Sequence, residues 1–316
     1  MSTPRLPFRF GVLAMRPAST RAEWLERGRR AEGQGFGTFQ VSDHFDRSPA
    51  APLLTLAAVA QSTATIGLGT LVLDNDFRHP AVLAKELATL DVLCDGRLEV
   101  GIGAGWMSAD YAVSGIPFEP AGRRIDKLAE TLAILSAVLS GPDPVTSTGT
   151  HYAVRELRSI PAPRRRPPLL VGGGRPRVLA LAARTADVVS VNFDVSEGRV
   201  GPRATRSASA GATDEKLGWI RAAAADRPTQ PELHLVAYWS QVTDRPEDAA
   251  AARIAALGLA VTPAELLASP HCLIGPRSAL VDRLLELRER WGFSYVTVYD
   301  SDAESLAPVV DELAGR

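Results

Sequence analysis

Residues 65–106, TIGLGTLVLDNDFRHPAVLAKELATLDVLCDGRLEVGIGAGW, constrain the fold most, because their pattern reads as strand, helix, strand. Residues 66–73 form a short apolar run containing Gly67 and Gly69 and bounded by Asp74, Asn75 and Asp76, which fits a strand buried on both faces. Pro80 is a favourable first helical residue, and Val82, Leu83, Leu87, Leu90 and Leu93 follow at helical spacing with Lys85, Glu86 and Asp91 on the other side. Asp95 and Gly96 turn the chain, and residues 98–102 form a second buried strand running into Gly101, Gly103, Gly105 and Trp106. Two buried strands joined through a helix are parallel, with a right-handed crossover. Ligands in such units bind at the carboxyl ends of the strands, which sets residues 71–74 and 103–106 side by side on one rim.

The same alternation continues along the chain. Residues 8–14, 38–41, 169–171, 188–192, 233–239 and 295–299 read as further strands, and Ser19 or Thr20 caps the first helix. Six prolines and Gly149 within residues 141–168 interrupt the rhythm, and residues 151–157 are expected to supply one strand of a small outer hairpin. Residues 107–117 read as a loop. Residues 194–213, dominated by Ser, Arg, Gly and Ala, read as a mobile excursion on the rim. Eight strands alternating with helices are most economically closed as a single (β/α)8 TIM barrel, an α/β fold over residues 1–316 with insertions on its C-terminal rim and no second domain.

Composition narrows the partners. A formal charge of -1 gives no basic field, so nucleic acid and anionic membrane surfaces are not expected. Cys94 and Cys272 are the only cysteines and build neither a disulfide scaffold nor a zinc spacing, and His151, His234 and His271 have no carboxylate at ligand spacing; no metal site is expected. No window approaches the ~20 apolar residues of a membrane span, and the first residues lack a signal-peptide core, so a soluble cytoplasmic protein is expected.

Two constellations on the expected rim can carry chemistry. Asp43-His44 follows a strand: the imidazole can donate a hydrogen bond or a proton near neutral pH, and the preceding carboxylate can orient a polar ring. A capping aspartate beside a packed histidine would read the same way. Gly172, Gly173, Gly174, Arg175 and Pro176 follow a strand and open a helix, so backbone amides and the positive helix end converge there, with Arg175 or Arg177 able to pair with a phosphate. A tight strand-to-helix turn is the plainer alternative. Gly101, Gly103 and Gly105 are not a dinucleotide fingerprint, since the third glycine is one residue early and no helix starts at once. Glycines there still allow a flat ligand to approach the backbone.

With these pieces in place, the chain resembles the bacterial luciferase-like superfamily, in its coenzyme F420-dependent oxidoreductase branch. The resemblance is carried by SDHF at residues 42–45, by residues 69–106, by LLVGGGRPRVLALAARTADVV at residues 169–189 and by residues 269–300. It implies a TIM barrel with a deazaflavin ring in its mouth, in contact with Asp43, His44, Thr70, Leu71, Val72, Asp74, Gly103, Ala104 and Gly105. It implies a non-proline cis peptide at Leu71-Val72, a phosphate site at Gly172, Gly173, Gly174 and Arg175, and His44 as the group that moves a proton or polarises the substrate. Phe77, Trp106 and Asn192 are the residues expected against the substrate. Where sugar-phosphate dehydrogenases of the branch carry a glutamate just after the glycine-rich strand end, this chain has Trp106, which favours the reductive direction and a planar or apolar substrate. The activity expected is hydride transfer from reduced F420 to an activated C=C or C=N bond of a small-molecule or peptide-derived metabolite, with a homodimer as the expected assembly. An FMN-dependent monooxygenase and a non-catalytic cofactor-binding barrel are the alternatives.

Overall fold

A computed structural model describes residues 6–316. Its strands, in chain order, are β1 (Arg9–Ala14), β2 (Thr38–Val41), β3 (Gly67–Thr70), β4 (Leu73–Asp74), β5 (Leu98–Gly103), β6 (Val145–Thr148), β7 (Ala153–Leu157), β8 (Leu169–Gly173), β9 (Val188–Val191), β10 (Glu232–Val236), β11 (Trp239–Val242), β12 (Cys272–Gly275) and β13 (Phe293–Tyr299). Parallel pairing runs β3-β2-β1-β13-β10-β9-β8-β5, and β5 returns to β3, so eight strands close a barrel. The eight strands expected from the sequence are these eight. β6 and β7 form the antiparallel hairpin outside the wall.

Local chemistry explains the helices around it. Thr20 accepts the amide of Glu23 at the start of Arg21–Gly33, and His79 Nδ1 accepts the amide of Ala81 at the start of Pro80–Leu93. In Pro80–Leu93 the buried face is Leu83, Leu87 and Leu90, while Val82 and Leu93 are exposed and Asp91 is buried. The apolar stripe is therefore narrower than expected, and Asp91 turns inward because its Oδ2 accepts the amide of Arg164 at 2.8 Å.

The barrel interior is filled by apolar side chains and one directed polar chain. Thr297 donates to Gln40 Oε1, Gln40 Nε2 donates to the Tyr295 hydroxyl, and Tyr295 donates to Glu99, each at 2.8 Å. Since the Thr297 proton is used, His234 Nε2 must donate to Thr297 Oγ1 and its Nδ1 must accept from Ser190, both at 2.8 Å. Burial, with the Arg9 charge, pushes His234 down to about 3, in keeping with the neutral ring this chain of bonds requires. Gly11 has no room for a side chain here: a Cβ would lie 2.5 Å from Thr297 Oγ1. At this level the barrel is filled by side chains.

Three departures from expectation concern that rim. Residues 107–117 contain the helix Ser108–Ser114, ended by Gly115 at φ +73°. The run at residues 233–239 divides: β10 stays in the wall, whereas Trp239 opens β11, which leaves the barrel to pair with β12. Residues 194–209 hold the short helix Pro202–Arg206, and the Ser207 hydroxyl oxygen accepts the Asp194 amide at 2.7 Å.

Candidate active site

The strand order places the carboxyl ends of β2, β3, β5, β8 and β9 consecutively around the barrel. Asp43 and His44, residues 70–74, residues 103–106, residues 172–175 and Asn192 therefore form one arc. The Leu71-Val72 peptide bond is cis, as the resemblance implied. Beyond it the chain resumes as β4 and pairs with β5 at Ile102 and Gly103. Thr70 is committed to the wall: its hydroxyl donates to the Gly101 carbonyl at 2.7 Å and accepts the Gly101 amide at 2.9 Å. Glycine is required at position 101, where a Cβ would fall 1.9 Å from the Thr70 carbonyl oxygen.

Asp43 does not bond to the His44 ring. Its carboxylate is gripped by the Arg78 guanidinium at 2.5 and 3.1 Å and also accepts the Asp74 amide at 3.1 Å, tying the ends of β2 and β4 together. His44 takes its partner from elsewhere: Nδ1 lies 2.6 Å from Asp110 Oδ2, while the His44 amide donates to Ser48 Oγ at 2.7 Å. Asp110 is buried and its other oxygen accepts the Phe45 amide at 3.0 Å. The Trp106 ring meets the imidazole edge-on, with centroids 5.6 Å apart. Neither Asp110 nor Arg78 stood out in the sequence; the one lay in a supposed loop, the other in a helix start.

The residue after Asp110 completes the cluster. Tyr111 hydroxyl lies 3.1 Å from Asp74 Oδ2 and 3.1 Å from Asp76 Oδ2. Burial pushes the Asp74 carboxyl up to about 7; the neighbouring Asp76 and Asp43 charges add to this, against the hydrogen bonds it accepts from the Asp76 amide and Tyr111. Gly105, at φ +71°, is where these groups close on the backbone, since a Cβ would lie 1.9 Å from the Tyr111 hydroxyl. Phe77 packs between Phe45 and Tyr111, with centroids at 5.0 and 5.8 Å. Ala104 gives its carbonyl to Arg124 Nε at 3.2 Å.

Across the arc, β8 ends at Gly173 and the helix Pro176–Thr185 begins after Arg175, so its first-turn amides face the rim without carbonyl partners from within the helix. A Cβ at Gly172 would meet only Val72 and Ser190, at 3.7 and 3.8 Å, whereas one at Gly174 would lie 1.8 Å from the Phe193 carbonyl oxygen. The Arg175 guanidinium is half exposed and donates to Asp194 at 3.2 Å. Burial pushes Asp194 up, but bonds from Ser196 and the charges of Arg175 and Arg203 outweigh it and hold the carboxyl below its ordinary value. Free amides, an open glycine and a reachable cation fit a phosphate ester. Asn192 closes the arc: its Oδ1 accepts from Tyr238 at 3.0 Å, and its carbonyl accepts from buried Lys216 Nζ at 2.8 Å.

Comparison with known proteins agrees with this architecture. The family described as Luciferase-like monooxygenase matches residues 6–295. The chain belongs to that family. Among curated luciferase-like relatives, an F420-dependent glucose-6-phosphate dehydrogenase of Microbacterium testaceum (strain StLB037) is 32% identical over 190 residues, covering 58% of this chain and 56% of the relative. An F420-dependent hydroxymycolic acid dehydrogenase of Mycobacterium tuberculosis (strain H37Rv) is 32% identical over 164 residues, covering 50% and 45%. The chain thus spans about half the length of the curated relatives it matches. Among solved structures, an F420-dependent secondary alcohol dehydrogenase in complex with an F420-acetone adduct aligns with a TM-score of 0.76 over 98% of both chains at 18% identity. At that identity the likeness shows the fold alone.

Proposed function

We propose that this luciferase-like chain is an oxidoreductase that uses reduced coenzyme F420 as hydride donor to an activated C=C or C=N bond of a small-molecule or peptide-derived metabolite. The observation that carries the reading is the pairing, on one arc, of a glycine-and-arginine phosphate cradle at residues 172–175 with a fixed imidazole at His44. The names of its relatives support F420 as the cofactor.

When bound, reduced F420 supplies the hydride. Gly172, the first-turn amides after Arg175 and the Arg175 guanidinium would hold its phosphate. Asp43, fixed by Arg78, and the backbone at Leu71, Val72, Gly103 and Ala104 would receive the ring. His44 gives the proton that accompanies hydride addition and is recharged from solvent, since its side chain is 23% exposed. Trp106, Phe77 and Asn192 would face the acceptor and keep water away from it. The named relatives are dehydrogenases, and an imidazole that donates in one direction accepts in the other; Trp106 beside His44 in place of a carboxylate favours reduction.

Anaerobic single-turnover mixing of the full chain and reduced F420 with acceptors carrying conjugated C=C or C=N bonds tests the reading. Loss of reduced F420 that depends on the acceptor is expected. Oxidation by air alone, faster with FMN than with F420, would instead favour the monooxygenase reading.

A further inference from the structure

The His44–Asp110 contact has a consequence for which nitrogen of the imidazole reaches the barrel mouth. Both Asp110 oxygens are committed, Oδ2 to His44 Nδ1 at 2.6 Å and Oδ1 to the Phe45 amide at 3.0 Å. The carboxylate is buried, with 3% of its side chain exposed, whereas the imidazole is 23% exposed. An ionised carboxylate can only accept, so the ring nitrogen facing it must carry the hydrogen. The backbone is fixed as well: the His44 amide is held by Ser48, and Trp106 stands against the ring edge. Rotation of the ring would therefore break the Asp110 bond and strand a buried acceptor, at a cost typical of an unsatisfied buried polar group.

We propose that Asp110 is the positioning residue for His44: it holds the proton on Nδ1 and so presents Nε2 to the ligand side of the rim. Asp110 touches neither cofactor nor substrate in this assignment; it acts through the imidazole. During proton donation the bond persists in both states of the ring. Imidazolium releases the Nε2 proton to the substrate, the neutral ring keeps its Nδ1 hydrogen on Asp110, and water restores the Nε2 proton. In the reverse direction the Nε2 lone pair is already aimed to accept. The turnover part of this inference rests on the proposed reduction; the tautomer does not.

Asp110→Asn separates a positioning role from a structural one, because an amide has a single carbonyl oxygen for two donors. If that oxygen stays with the Phe45 amide, its NH2 group faces His44 Nδ1 and forces the hydrogen to Nε2, the reversed tautomer known to disable catalytic histidines. Asp110→Glu keeps an all-acceptor carboxylate. Nitrogen-15 NMR of the histidine-labelled chain without cofactor, with His44→Gln assigning the signal, reads the tautomer directly. The neutral His44 ring is expected as Nδ1–H in the wild type and in Asp110→Glu, and as Nε2–H in Asp110→Asn. With F420 bound, kcat of Asp110→Asn is expected to fall about 10²- to 10⁴-fold while the cofactor dissociation constant stays within about threefold, and Asp110→Glu should recover part of kcat. An Nε2–H ring in the wild type overturns the proposal without recourse to any variant. So does an Asp110→Asn protein that keeps the wild-type tautomer and kcat. Failure of F420 to bind would strike the proposed function and leave the tautomer result standing.

Discussion

Arg78 and Asp43 meet through two hydrogen bonds, at 2.5 and 3.1 Å, and between them they lock the end of β2 to the chain that follows β4. The pair is only partly solvated, with side chains 21% and 9% exposed. Removing the cation leaves a carboxylate with little water and with Asp74 close by. Arg78→Ala should therefore cost about 2–3 kcal/mol in chemical denaturation, somewhat less than the roughly 3–5 kcal/mol of breaking a fully buried pair. Arg78→Lys should recover less than half of that, because an ammonium cannot reproduce the two-point grip. A loss below about 0.5 kcal/mol would show that the pair is an ordinary surface contact.

The glycines at the end of β8 should separate binding from folding. Gly174→Ala drives a methyl into the Phe193 carbonyl, with a Cβ 1.8 Å away, and is expected to lower Tm sharply. Gly172→Ala meets only Val72 and Ser190 at ordinary contact distance and should leave Tm within a few degrees while weakening F420 binding. Equal Tm for the two variants would contradict this division.

Arg175 is half exposed, so replacing it should barely affect stability. Arg175→Glu exchanges the proposed phosphate partner for a repelling charge and places it near Asp194. F420 affinity measured by fluorescence quenching should fall about 10- to 100-fold, the range for a lost charge-assisted bond. An unchanged dissociation constant would put the phosphate elsewhere on the rim.

Asp74 makes stability depend on pH with a definite sign. Its carboxyl is pushed from 3.8 to about 7 in the fold, so between those values the folded chain keeps a proton that the unfolded chain has released. This contribution is fully present below about pH 4 and is lost as pH rises through about 7. Asp74→Asn cannot ionise, so its stability relative to wild type should improve from about pH 4 to about pH 7 and level off above that. Parallel Tm curves for the two proteins between about pH 4 and pH 7 would show that Asp74 is not the group concerned.

How much of this was legible in the sequence varies with the range of the interaction. Strand and helix positions were, because Pro80 and the apolar runs act locally: the helix Pro80–Leu93 lies where its first residue and apolar spacing place it. The glycine loop was legible for the same reason. The partners of the rim groups were not. Asp110 lies 66 positions from His44, on a helix of 7 residues, too short for a period to show. Asp43 was the natural neighbour to nominate for orienting a ring, but adjacent residues on an extended chain point apart, and Arg78 claims it. Nor does the apolar run at residues 233–239 signal where the chain leaves the wall, since Trp239 is as apolar and as buried in its small outer sheet as a barrel residue would be.

The most direct test of the account is a thermal titration of the 316-residue chain with coenzyme F420 and, separately, with FMN. At a hundredfold excess over its dissociation constant F420 should raise Tm by about 5 °C, as ligand linkage requires for a protein of this size, with FMN giving a much smaller rise at the same concentration. A rise with FMN and none with F420 would contradict it.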